Sequence, residues 1–127
     1  MQADTKFAVT LDTVVHGYPN GVALDHVSLN IQTGSSTAVV GPDGVGKSTL
    51  LGLVAGARRL QTGGLFVLGG DMRSATHRDR ISLRIAYMPQ GLGRNLYPSL
   101  SVYENLDFFG RLFGVSHSER HSRIDRL

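Results

Sequence analysis

Apolar and polar positions first organise into short runs suited to strands. FAVTLDTVVH, residues 7–16, is rich in β-branched and apolar side chains and predicts a strand. GYPNG at 17–21 is a turn cluster. HVSLNI, 26–31, alternates strictly and sets Val27, Leu29 and Ile31 on one face of a second strand. After the turn TGSS, TAVVG at 37–41 is a brief apolar run, the pattern of a strand covered on both faces. The period then changes. KSTLLGLVAGARR, 47–59, predicts a helix ending in Arg58 and Arg59, where the dipole favours cations. TGG at 62–64 closes that unit, and LFVLGG at 65–70 predicts another strand.

The second half repeats the alternation. Residues 75–83 predict a short polar helix with Ile81 and Leu83 turned inward, and RIAYMPQ, 84–90, a strand that stops at Pro89. GLGRNLYPS, 91–99, is a loop. Ser101 and Glu104 have the spacing of a capping box, in which each side chain bonds the other's backbone N–H. Val102, Leu106, Phe109 and Phe113 then fall on one helical face, and Gly114 stops that helix. SHSERHSRIDRL, 116–127, begins another. Strands that alternate with helices predict an α/β fold.

Composition narrows the class. Hydrophobic residues make up 41% and charged residues 18% of 127 positions, which is globular rather than disordered. There is no cysteine, so disulfides and thiolate metal sites are excluded, and the chain suits the cytosol. MQADTKF lacks a basic segment followed by an apolar core, so no secretory leader is expected. The longest apolar run, LLGLVAGA, falls far short of the roughly 20 residues of a membrane helix. The net charge of +3 is uneven: residues 71–127 hold nine arginines against six acids. A solvated basic surface is the ordinary reading. A ribosome-facing patch around Arg73, Arg78, Arg80 and Arg84 is the sharper one. Direct DNA binding is not expected, since no basic-plus-aromatic motif accompanies the charge.

The chemistry concentrates in GPDGVGKST. Gly41, Gly46, Lys47 and Ser48 fill every fixed position of G-x-x-x-x-G-K-[ST], between an expected strand and an expected helix. Pro42, Asp43, Gly44 and Val45 complete the loop. Glycines let backbone amides approach phosphate oxygens, and the helix N-terminus adds its dipole. Lys47 would neutralise the β- and γ-phosphates, Ser48 would ligate Mg²⁺, and Thr49 would bond the α-phosphate. Asp43 is the odd member. A carboxylate about 4 Å from a phosphate costs on the order of 4 kcal/mol at an effective dielectric of 20. It is therefore expected to point away from the nucleotide, into an Asx-type turn or towards another subunit. His117 and His121 are i, i+4, but HSERH is not the zincin arrangement, and no metal is expected there.

Three motifs in order, Tyr18 in a turn, GPDGVGKSTLLGLVAGARRLQTGGLFVLGG, and YMPQ followed by LYPSLSVYENLDFFGRLFG, together resemble the N-terminal part of an ABC-type transporter ATPase. The YPSLSVYEN form is most similar to drug-efflux and ABC-2-type exporters. GPDGVGKS, GGDM and MPQGLG are similar to ribosome-associated ABC ATPases.

The resemblance implies a P-loop NTPase core with N-terminal antiparallel strands, and the start of the helical subdomain over about 100–127. It implies that Tyr18 stacks on adenine, that Gly41 to Thr49 form the Walker A loop, and that Gln90 is the Q-loop glutamine reaching Mg²⁺ and the attacking water. It implies that Glu104 and the Phe108–Phe113 region border the surface that meets the membrane subunit. For Phe109 and Phe113 themselves the core reading is preferred over a partner-facing one. No LSGGQ-like signature, no Asp-Glu-ended strand and no switch histidine follow Gln90. The expectation is therefore an incomplete domain that binds ATP and Mg²⁺ and hydrolyses little alone. The partners implied are a second ABC ATPase domain and a membrane-spanning subunit or fused domain, at the cytoplasmic face of the membrane. The alternative is a ribosome-associated ATPase acting in translation. A GTPase is disfavoured, since no Asn-Lys-x-Asp is present.

Overall fold

The computed structural model describes residues 6–91 and 96–127. Residues 92–95 of the expected 91–99 loop lie outside the described residues. The chain forms two compact units, residues 1–87 and 88–127.

The first unit is built on an antiparallel sheet in the order β2-β1-β3-β4, with β1 at Phe7–Tyr18, β2 at Gly21–Gln32, β3 at Thr62–Val67 and β4 at Gly70–Asp71. The anticipated alternation sets the register. Val9 faces Ile31 and Leu11 faces Leu29 across β1–β2, while Val9 and Leu11 meet Val67 and Leu65 on β3. The sheet's apolar face closes on α1, Lys47–Val54, and α2, Ala75–Ser82. Val14, Leu53 and Leu65 are wholly buried there. Each such side chain stabilises the fold by about 1.5–3 kcal/mol through removal from water.

Four expectations fail here. The strands expected over 37–41 and 84–90 are not formed: both stretches lack ladder bonds, and Val40 and Met88 stand 88% and 89% exposed. An apolar run states a demand for burial, but a strand also needs a hydrogen-bonding neighbour, and among the described residues neither stretch has one. Leu83 is exposed rather than turned inward, because α2 ends at Ser82, while Ile81 is buried as expected. Helix α1 ends at Val54 instead of Arg59, so Arg58 and Arg59 do not sit on its last turn.

The second unit is a helical hairpin of α3, Val102–Leu112, and α4, His117–Ile124. The capping box of Ser101 and Glu104 is present in both directions. The backbone N–H of Ser101 also holds the Glu104 carboxyl below its usual range. Gly114 turns the chain with φ 71°. The expected apolar face is largely open: Val102, Leu106 and Phe113 are exposed, and only Phe109 is half-buried. The buried residue of α3 is polar Asn105. Its amide accepts from the Tyr97 N–H at 2.8 Å and donates to the carbonyls of Tyr97, Leu100 and Ser101 at 3.0–3.1 Å, which ties the preceding loop to the helix. Asp107 receives hydrogen bonds from Arg120 and Arg111, each at 2.7 Å, joining α3 to α4.

Candidate functional site

The loop from Gly41 to Thr49 runs into the N-terminus of α1. Gly46 is its N-cap at φ 99°, and a Cβ there would stand 2.2 Å from the Ala23 carbonyl oxygen, so only glycine lets the loop press against β2. Gly44, at φ 79°, needs the same freedom. No side chain caps α1 and no acidic residue occupies its first turn. Its leading N–H groups therefore face outward without an intrahelical partner, and the dipole reinforces them as an anion site. This uncapped end fits a phosphate group.

Lys47 lies back over the loop. Its ammonium donates to the carbonyls of Gly41 at 2.7 Å and Pro42 at 2.6 Å. These oxygens hold the cation where phosphate oxygens would compete for it. The Asp43 carboxylate is fully exposed, 3.9 Å from the Lys47 ammonium. The expected Asx turn is not formed, and the loop's own lysine is the neighbour Asp43 meets. Exposure to water screens that pair, so it adds little to stability. Pro42, Val45 and Ser48 are exposed on the loop and the first turn.

Tyr18 ends β1 and reaches the same helix. Its hydroxyl is 3.1 Å from that of buried Thr49, so residues 31 positions apart share a hydrogen bond. The Arg58 guanidinium lies 5.5 Å from the Tyr18 ring centroid, and His16 meets the ring edge-on at 5.1 Å. Gln61 grips the Gly17 backbone from both sides, accepting at 2.8 Å and donating at 3.1 Å. Sequence reasoning missed these three supports. Arg58 reads as a helix-end cation, and nothing local in LQTGG marks Gln61 as a clamp. Gln90 is exposed and belongs to the second unit.

The basic stretch is occupied with the fold. Arg73 donates to the Gly63 carbonyl, Arg78 to those of Met72 and Arg73, and Arg80 to the His77 ring. Among the described residues no group of three or more His, Cys, Asp or Glu could hold a metal ion. No helix among them is long and apolar enough to cross a membrane.

The ABC transporter family model matches residues 24–127. A probable branched-chain amino acid transport ATP-binding protein, LivF, of Archaeoglobus fulgidus is 39% identical over 86% of this chain and 44% of its own length. The Nod factor export ATP-binding protein I of Cupriavidus metallidurans is 34% identical over 87% of the chain and 35% of its own length. The maltose/maltodextrin import ATP-binding protein MalK of Yersinia pestis is 33% identical over 94% and 31%. The chain thus spans less than half the length of these curated relatives. Two solved structures show the fold at 25% identity. CbiO1 from Clostridium perfringens, part of the ABC transporter complex cbiONQ, has a TM-score of 0.75 over 95% of this chain and 49% of its own. The ATP-binding cassette MJ0796, a dimer in a post-hydrolysis state bound to ADP and Pi, has a TM-score of 0.70 over 91% and 53%.

Proposed function

The chain belongs to the ABC transporter family, and on that premise we propose that it binds MgATP through the 41–49 loop and Tyr18, and serves ATP-driven transport through a membrane partner. One observation carries the reading: the hydrogen bond between the Tyr18 and Thr49 hydroxyls sets an aromatic ring beside the uncapped first turn of α1. A base on that ring and an α-phosphate on Thr49 are neighbours within one nucleotide.

ATP, when bound, supplies the phosphoanhydride bond whose cleavage drives transport. The chain's own groups do the holding. The first-turn amides of α1 receive the phosphates, and Lys47 leaves the Gly41 and Pro42 carbonyls for the β- and γ-oxygens. Ser48 and Gln90 are proposed to hold Mg²⁺, Gln90 also to orient the attacking water, and Tyr18 to stack on adenine. Hydrolysis needs further water-positioning groups beyond these, so residues 1–127 alone are expected to release little phosphate.

Residues of about 100–127 are proposed as the start of the helical subdomain. An apolar groove of about 350 Å³ runs along α3, lined by Leu96, Tyr97, Pro98, Leu100, Leu106 and Phe109 among others. It supports a surface of this unit for the membrane-spanning subunit, with a second ATP-binding domain completing a dimer at the cytoplasmic face. Export is proposed as the direction, on the YPSLSVYEN resemblance and the Nod factor export relative; the maltose relative is an importer by name. Nothing favours the ribosome reading, since Arg73, Arg78 and Arg80 are bonded within the fold.

Calorimetric titration of MgATP tests the core of the proposal. Lys47→Ala is expected to weaken binding on the order of 10- to 100-fold, the worth of charged hydrogen bonds. Equal affinity of the two chains would refute it. Phosphate release at the rate of a complete ABC ATPase, abolished by Lys47→Ala, would refute the expectation of low turnover. Uptake into inside-out vesicles by the full transporter tests direction.

A further inference from the structure

Resting on the reading of Tyr18 as the base platform, we infer that Arg58 is a positioning residue for nucleotide binding: it lies across Gly52 to cover one face of the Tyr18 ring and so leaves the opposite face presented to a purine.

The contact is built rather than incidental. Arg58 follows the turn after α1, and its backbone N–H donates to the Gly52 carbonyl at 3.0 Å. Its stem then passes over Gly52 so closely that a Cβ there would stand 3.1 Å from Cδ and 3.2 Å from Cγ and Nε. Glycine in mid-helix weakens a helix relative to alanine. Here its missing side chain is the channel through which the guanidinium reaches the ring, at 5.5 Å. A cation over an aromatic face is attracted by the ring quadrupole.

The remaining supports fix the other degrees of freedom. Thr49 holds the hydroxyl tip, His16 meets the ring at an interplanar angle of 69°, and Gln61 clamps the backbone at Gly17. Tip, one face and backbone are thus each engaged and His16 packs across the ring at a steep angle, yet Tyr18 remains 40% exposed. The surface left is what a stacked base would cover. A ring already held in one orientation loses less freedom on binding, which raises affinity without a new contact to ligand. Arg58 acts through Tyr18 alone in this scheme, so its influence should extend to the base and not to the phosphates.

The test uses the 127-residue chain, MgATP, and magnesium tripolyphosphate as the probe without a base. Arg58→Gln should weaken MgATP about two- to five-fold, the range for an exposed cation–π contact, and leave tripolyphosphate unchanged. Arg58→Lys should restore part of the loss. Gly52→Ala keeps the arginine but displaces its stem. It should reproduce the Arg58→Gln effect, and the two together should cost no more than either alone. Equal weakening of both ligands, or an undiminished Arg58→Gln effect in a Tyr18→Ala background, would overturn the inference. If Tyr18→Ala leaves the preference for ATP over tripolyphosphate unchanged, the base-platform reading itself fails. If Tyr18→Ala erodes that preference and Arg58→Gln does not, only the inference fails. Proton shifts of the Tyr18 ring in the nucleotide-free chain report the contact directly. Shifts unmoved by Arg58→Gln overturn it whatever the binding data.

Discussion

The two units of this chain are held together by opposite means. In residues 1–87 apolar side chains from β1, β3 and α1 close on one another and the polar loop lies outside. In residues 88–127 the buried anchors of the hairpin are Asn105 and Arg120, while Val102, Leu112 and Phe113 lie open. Burial of oil and satisfaction of polar groups are separate ways to fix a backbone. The first is forgiving of detail. The second depends on each partner, since a buried polar group stripped of its bond keeps the full cost of desolvation. A unit pinned by polar contacts can leave its apolar residues on the surface, which suits a partner more than a core.

The contrast can be broken first at the core of the sheet unit. Leu53→Ala should destabilise it by about 2–5 kcal/mol, transfer loss plus cavity, seen as a lower urea midpoint with an unchanged slope. A loss below about 1 kcal/mol would mean the site collapses freely, and the apolar account would be wrong. In the hairpin unit, Asn105→Ala should cost about 1–3 kcal/mol by orphaning backbone groups of residues 97–101. Amide exchange in that loop should rise with it, whereas Leu106→Ala, on the open face, should change little.

Acid separates the units next. The hydrogen bond from Arg120 holds the Asp107 carboxyl below its ordinary 3.8, and one from Arg123 does the same for Glu119. Because these folded values are depressed, their contribution is whole above the ordinary carboxylate range and drains away as pH falls through the lowered values. Helicity followed by circular dichroism should therefore fall on acidification, and Asp107→Asn should flatten part of that dependence. A profile identical in the two chains would count against the Asp107 bridge as a hairpin lock. The smallest effect is expected at the loop. Asp43→Asn should tighten MgATP by about two- to five-fold at low salt, with the gain shrinking as salt screens it. A weakened affinity would show that the carboxylate assists binding, contrary to its exposed placement.

Legibility in the sequence followed the range of the interactions. The shape of the loop before α1 was readable because its constraints are local: glycine dihedrals at Gly44 and Gly46 and a helix that starts at Lys47. Strands β1 and β2 were readable from alternation, and the Ser101–Glu104 box from a separation of three. The shared face of α3 was legible as a pattern, but of the two aromatics read as core Phe109 is half-buried and Phe113 exposed, since periodicity reports which residues share a side and not what covers that side.

Local sequence was enough to place the glycine loop before α1, the apolar face of β1 and β2, and the cap that begins α3. The tertiary structure alone decided what depends on distant neighbours. It set Tyr18 against Thr49 and Arg58 against Tyr18 across 31 and 40 positions. It turned Asp43 outward beside Lys47 and spent the arginines of 73–80 on backbone carbonyls and a histidine ring. It also left TAVVG and RIAYMPQ without ladders. The physical reason is common to all of these. A dihedral preference or a helix cap is fixed within a few residues, but a hydrogen bond or a ring contact exists only once the fold has chosen its partner.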